Sequence, residues 1–406
     1  MTGIWFNHED ICVRSKKHED LTILHEAGYT DAYILIKGMD DDIRNTPIER
    51  KRVLYLFETL KKMGLRTHGV FICSNDRAYC KQYPDRADMT IFGNKSAYRI
   101  SHTDPFYLSY LKESIISAAR EFPMDGVQLD FMRYGIITNG WSGKEEEIYA
   151  QNGTDVPMLK EKILRLYDSR KEDYNIKSLL DACQNGDSQL MAFSDARRSI
   201  IRNFVRSVTD EIRTKLPDKE ISIAMMPEGL WPERYSTALL HYGQTYEDLQ
   251  PYADHLFAMA YAGSYNVKSD WVGEIGKQAQ KRIPRIVMGL ECTEPRSSSD
   301  ISTDLSEISG LNHAGVCFFR YGRMIIGVTD GRDTLLYNSY PGTVRKLELY
   351  SGEKKTDMEC RFEEASYMRI PGKFDRIRAF GSFKDISGRD YDGEFCVVAD
   401  VNGTNS

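Results

Sequence analysis

The sequence predicts a (β/α)8 barrel of the TIM type, and three observations carry that prediction. Eight short apolar runs recur between the N-terminus and about residue 340. Amphipathic helical patterns separate them, the rhythm of parallel strands joined by crossover helices. Several runs also close on a polar residue, as strands do where a barrel gathers its working groups at the C-terminal mouth.

The runs are GIWFN (3–7), AYILIKG (32–38), RTHGVFIC (66–73), DGVQLDFMRY (125–134), ISIAMMPEG (221–229), HLFAMAYAGSY (255–265), RIVMGLE (285–291) and GVCFFRYG (315–322). Between them, IERKRVLYLFETLKKMG closes on a glycine and DARRSIIRNFVRSVTDEIRTKLP on a proline, both ordinary helix stops. Two departures from the rhythm stand out. A long, charge-rich insertion, about 136–190, follows the fourth run, where barrel enzymes build a substrate rim. Beyond Pro341 the pattern turns to alternating segments between Gly and Asp turns, so residues 341–406 are expected to form a small antiparallel β extension to a 1–340 barrel domain.

Composition narrows the partners. The chain has 406 residues, 41% of them hydrophobic, and a net charge of -6 with both signs intermixed. No basic stripe marks a nucleic-acid partner. No apolar run approaches the roughly 18 residues of a membrane span, and no signal segment is visible, so a soluble protein is expected in a compartment the sequence leaves open. The eight cysteines are scattered and the eight histidines fall on no H-x-H or H-x-x-x-H spacing, which argues against a metal centre and for buried thiols, Cys73 and Cys80 included. No cofactor is implied, and the oligomeric state is not legible.

Strand parity places the polar residues. Val127, Leu129 and Phe131 form one face of the fourth run and Gln128, Asp130 and Met132 the other, so Asp130 is expected to point into the barrel at its mouth. The same alternation sends Glu228 and Glu291 inward at the ends of the fifth and seventh runs, converging three carboxylates on one rim. Paired carboxylates above a barrel mouth are the equipment of glycosidic bond cleavage, in which one group protonates the leaving oxygen and another attacks or activates water. Trp5, Tyr134, Trp141, Trp231, Tyr261, Tyr265 and Tyr321 crowd the same ends and offer flat faces for sugar rings. Arg133 and Arg320 are candidates to hold a carboxylate, of the substrate or of the cluster, and His68 and His102 candidate ligands of substrate hydroxyls.

The run SHTDPFYLSYLKESIISAAREFPMDGVQLDFMRYG resembles the signature of glycosyl-hydrolase-like barrels related to the alpha-amylase superfamily, in which a D-P-x-x-x-x-Y-L helix leads into D-G-I-x-L-D-Y-x-R-Y. GIWFN, GLRTHGVFICSN and AGVCFFRYG are similar to that family's first, third and last strands. The resemblance implies a carbohydrate substrate, with Asp130 as nucleophile, Glu228 as acid/base and Arg133 as the motif's arginine; joined to the rim carboxylates, it leads to the expectation of a retaining glycoside hydrolase in which Glu291 is a third carboxylate tuning the other two and Arg133 fixes Asp130. The alternative from another class is a catalytically silent barrel that binds glycans, keeping the aromatic rim with Asp130 as a structural anchor. A second carboxylate facing Asp130 across a pocket distinguishes the two.

Overall fold

The computed structural model describes residues 1–7, 21–40, 42–168, 173–174, 177–294, 296–385 and 387–399. Eight parallel strands close into a barrel: β1 (Thr2–Phe6), β2 (Asp31–Lys37), β3 (Arg66–Ile72), β4 (Gly126–Asp130), β5 (Glu220–Met225), β6 (His255–Met259), β7 (Ile286–Glu291) and β8 (Gly315–Phe319). They follow one another around the ring in chain order, with β8 returning to pair with β1. All eight apolar runs are therefore strands. Every strand but β7 stops short of the run that announced it, and this governs where the mouth residues go.

The helices form where capping and spacing direct. In α1 (Pro47–Lys62) proline opens the helix, and Val53, Leu56, Phe57 and Leu60 recur on the buried stripe. Asp104 caps α2 (Pro105–Glu121) by accepting from the Phe106 N–H at 3.1 Å. The insertion after β4 carries α3 (Gly143–Gln151), opened by a reciprocal Ser142–Glu145 capping box, then α4 (Val156–Arg165) and α5 (Lys177–Gln184). The crossover helix α6 (Ser188–Lys215) leads back to the barrel, and α7 (Asp270–Arg282) and α8 (Ser298–Ile308) complete the shell. Between β5 and β6 there are only short helical turns.

Parity holds within the strands. Val127, Leu129, Ile221, Ile223, Met225, Ile286, Met288 and Leu290 belong to the large core between strands and helices, whereas Trp5, Tyr33, Val70, Phe257, Val287 and Cys317 fill the barrel itself. Gly289 makes room for the indole of Trp5: a β-carbon there would lie 3.2 Å from its ring. The Trp5 ring N–H donates to Gln128 Oε1 inside the barrel, which satisfies the indole and the amide oxygen and leaves the amide Nε2 buried without a partner.

The appended strands begin at Ile325, ahead of Pro341, where alternation becomes visible in the sequence. They are β9 (Ile325–Asp330), β10 (Asp333–Asn338), β11 (Gly342–Ser351), β12 (Lys354–Glu363), β13 (Tyr367–Pro371), β14 (Arg376–Lys384), β15 (Asp390–Phe395) and β16 (Val397–Ala399). Two four-stranded sheets result, β13-β10-β9-β16 and β12-β11-β14-β15, antiparallel except for the β9–β16 pair. Ser298 at the start of α8 accepts from the Val397 N–H at 3.0 Å and donates to Phe395 O at 3.3 Å, tying this β unit to the barrel shell.

Candidate functional site

A cavity of about 530 Å³ opens at the C-terminal ends of the strands. Among the described residues, every barrel strand or the loop after it contributes to its wall except β7. Aromatic rings dominate: Trp5, Phe6, Phe131, Tyr261, Tyr265 and Phe319. The polar groups are few, namely Asn7, Asp130, Arg133, Ser264 and Arg320. Tyr261 stacks on Phe319 with centroids 5.3 Å apart, and Trp5 meets both rings edge-on. The result is a rigid aromatic face of the kind on which a sugar ring stacks.

Asp130 is the last residue of β4 and lines this cavity, half-buried. The next residue, Phe131, has φ 56°, the left-handed region a bulky side chain rarely adopts, and its N–H donates to Asp130 Oδ1 at 2.6 Å. This turn ends the strand and the parity with it: Phe131 swings into the cavity wall and Met132 is buried in the core, the reverse of the alternation read from the sequence. Burial pushes the Asp130 carboxyl above its ordinary range, against the opposing pull of the Arg133 cation and the Phe131 N–H.

Arg133 also lines the cavity, but it does not fix Asp130 by an ion pair. Its guanidinium lies over the rings of Phe131, at 4.3 Å, and Tyr242, at 5.4 Å, and acts on Asp130 through its field. Burial draws Arg133 below the usual guanidinium value, with Asp130 and then Tyr242 opposing. Arg320, which follows the last residue of β8, reaches the same wall.

Glu228 and Glu291 depart from the expected convergence, Glu228 because β5 ends before it and Glu291 because neighbouring loops take up its oxygens. β5 stops at Met225, and Glu228 sits beyond it in the 3-10 turn Pro227–Leu230, buried behind the cavity wall. Its Oε1 accepts from Tyr265 OH at 2.8 Å and Tyr242 OH at 3.2 Å, while Oε2 is buried without a partner. Tyr265 lines the cavity, so one phenol separates this carboxylate from it. Glu291 does end β7, but its oxygens are taken up by the Ser264 N–H at 2.8 Å, Ser264 OH at 2.7 Å and Thr293 OH at 2.7 Å. It braces the loop after β6 instead of facing the cavity.

Other expected ligands lie elsewhere. His68 is fully buried, stacks on Tyr33, and donates through Nε2 to Asp31 Oδ1 at 2.9 Å, near the N-terminal end of the barrel. Its sequence neighbourhood sits too early in β3 to reach the mouth. A β-carbon on Gly126 would lie 2.4 Å from its ring, so that close fit depends on glycine. His102 is buried against Tyr134 and Phe204 with Nε2 2.7 Å from Ser74 Oγ, and burial, helped by Arg197 and Arg99, draws it down to about 3. Tyr134 is buried under the Arg197 guanidinium, Trp141 is buried in the insertion, and Tyr321 stacks on Phe6. Trp231 packs edge-on against Tyr265 and Trp271, one ring removed from the cavity. Cys73 and Cys80 are free thiols, and no metal-binding cluster occurs among the described residues. Among the described residues, no helix is long and apolar enough to cross a membrane.

The site also uses residues that sequence reasoning passed over. Tyr242 links Arg133 to Glu228, and Ser264 links the cavity to Glu291. Neither carries a sequence signal, since both come from loops brought in by the fold. Asn7, the residue after β1, lines the wall with Oδ1 buried and without a partner.

No family model matches the sequence, and no curated protein does. Solved structures do match in fold. The glycoside hydrolase domain of PgaB (BpsB) from Bordetella bronchiseptica superposes with a TM-score of 0.58 at 10% identity, over 79% of this chain and 94% of that one. The catalytic domain of beta-amylase from Paenibacillus polymyxa gives 0.56 at 10%, over 79% and 92%. Beta-galactosidase from Marinomonas ef1 gives 0.57 at 11%, but this chain spans only 54% of its length. The likeness is one of fold. The chain thus shares the TIM-barrel architecture of several glycoside hydrolases, and what its own mouth can do must be argued from the residues there.

Proposed function

We propose that this protein is a glycoside hydrolase cleaving a glycosidic bond in a polysaccharide or glycoconjugate, with retention, at the cavity beneath Asp130. The observation that carries the reading is Asp130 itself: a carboxylate at the end of β4, in a wall that is otherwise mostly aromatic and aliphatic, with Asn7, Arg133, Ser264 and Arg320 as its other polar groups. The motif around it, which resembles that of barrels related to the alpha-amylase superfamily, and the glycosidase folds this barrel superposes on both support the choice of chemistry.

In this reading an Asp130 oxygen bonds to the anomeric carbon as the bond from that carbon to the leaving oxygen breaks, and Glu228 gives the leaving oxygen its proton. Water then gives a proton to Glu228 as its oxygen bonds to the anomeric carbon and the bond from that carbon to Asp130 breaks, which releases the sugar and restores both carboxyl groups. Glu228 lies behind Tyr265, so the reading requires the phenol to give way as substrate enters. Glu291 supports the loop that carries Ser264 and Tyr265.

One observation favours a second reading. Among the described residues Asp130 is the single acidic side chain in the cavity wall, which also suits a glycan-binding barrel without turnover. Incubating the protein and Asp130→Asn with a panel of polysaccharides and aryl glycosides decides between them. The hydrolase reading expects turnover by the parent and a loss of at least about a thousandfold in the variant. Equal turnover by both removes Asp130 from the chemistry, and binding without turnover establishes the second reading.

A further inference from the structure

Arg133 has a feature that bond cleavage does not require. Its side chain is only 8% exposed and lines the cavity, yet Nε is buried without a hydrogen-bond partner and, among the described residues, no carboxylate lies within ion-pair distance. Its close contacts are ring faces, Phe131 on one side and Tyr242 on the other. Nε is equally unpartnered in the buried Arg197, Arg296 and Arg323, but the terminal nitrogens of those three are supplied with acceptors, whereas those of Arg133 have none among the described residues. Arg197 donates to the backbone carbonyls of Asn139 at 2.8 Å and His241 at 2.8 Å, Arg323 to Lys384 O at 2.6 Å, and Arg296 pairs with Asp304.

Burying a guanidinium without acceptors is costly, because water's hydrogen bonds are lost and nothing replaces them. A side chain held in that condition, sandwiched between two rings and lining the cavity, is arranged for an acceptor that arrives with the ligand. Its planar fork matches a carboxylate through two parallel hydrogen bonds. Arg320 adds a second cation to the same wall, and the remaining surface is mostly aromatic. Asp130 would repel an anion placed on itself, so the negative group must lie on the Arg133 side of the ring whose anomeric carbon meets Asp130.

We propose that the substrate is an acidic glycan, in which the ring carboxylate of a uronic acid residue docks on Arg133. This rests on the hydrolase reading above, to which it adds the class of sugar. The test compares oligouronides of several linkages with the same oligomers after chemical reduction of their carboxyl groups. Turnover is followed by reducing-end release, and affinity by titration calorimetry. Arg133→Ala and Arg133→Lys are measured beside the parent, with thermal melts to show that both are folded.

For at least one linkage the parent should prefer the carboxylated oligomer by roughly 10- to 100-fold, the worth of a charge-assisted contact. Arg133→Ala should abolish that preference, and Arg133→Lys should keep part of it, having the charge without the fork. Equal handling of carboxylated and reduced oligomers overturns the proposal, as does failure to bind or cleave any carboxylated one. The two readings fail separately. Neutral oligomers cleaved as well as acidic ones, in a reaction lost with Asp130→Asn, leave the hydrolase standing without the acidic sugar. Selective binding of oligouronides without cleavage leaves the acidic sugar standing without the hydrolase.

Discussion

At the scale of single residues, the environment of Asp130 makes a signed prediction about pH. A nucleophile works ionised, and burial raises this carboxyl above the ordinary aspartate range. The acid limb of the kcat/KM profile is therefore expected at higher pH than a solvated aspartate would give, with activity falling as pH drops through it. A profile measured on any cleaved glycoside checks this; an Asp130-dependent loss on the alkaline side would instead make Asp130 the proton donor. Tyr265 offers a second prediction. It donates the shorter of the two hydrogen bonds to Glu228 Oε1. Because the phenol must give way before Glu228 can reach the leaving oxygen, Tyr265→Phe, which lacks this bond, should lower KM by about 10-fold or less with little change in kcat. A fall in kcat of roughly 100-fold or more would show that the phenol holds Glu228 during the reaction.

At the scale of elements, one buried side chain joins three separate backbone stretches where the insertion after β4 meets the barrel. Arg197 of α6 donates to the carbonyls of Asn139, Ile136 and His241, while its guanidinium lies 3.9 Å from the centroid of Tyr134. Replacing it by methionine removes a donor from the buried carbonyl of Asn139 and from the part-buried carbonyls of Ile136 and His241. The expected cost is about 3 to 5 kcal/mol, read from chemical denaturation, and a cost below about 1 kcal/mol would contradict the role given to it. In the β unit, Glu348 on β11 accepts from Lys355 at 2.6 Å, and Tyr350 and Lys346 join it; together these hold its carboxyl at about 2 despite partial burial. A carboxyl depressed in the folded state contributes stability above its unfolded value of roughly 4.3 and loses it as pH falls toward 2. Glu348→Gln should therefore weaken the protein near neutrality by about 2 kcal/mol and leave it nearly unchanged at the acid end. Equal destabilisation at both ends would show that the charge is not what matters.

At the scale of the whole molecule, the barrel was legible because period-2 strands and period-3.6 helices write themselves into apolar spacing over hundreds of residues. Asp130 was legible for the same reason, being the last residue for which strand alternation still holds. Past that point the rule has nothing to act on. Phe131 enters a left-handed turn, Glu228 stands three residues beyond the end of β5, and the side chains there are aimed by loops. Glu291 obeys parity, yet Ser264 and Thr293 consume its oxygens, a fact carried by tertiary structure alone. His68 shows the converse error, a polar residue of the right type at the wrong end of its strand. One carboxylate over one cavity remains, and a mechanism-based label tests its role most directly. Activated 2-deoxy-2-fluoro glycosides, acidic and neutral, should trap a glycosyl ester whose peptide map places the sugar on Asp130, with no label on Asp130→Asn. A sugar mapped to any other carboxylate, or a labelled Asp130→Asn protein, would contradict it.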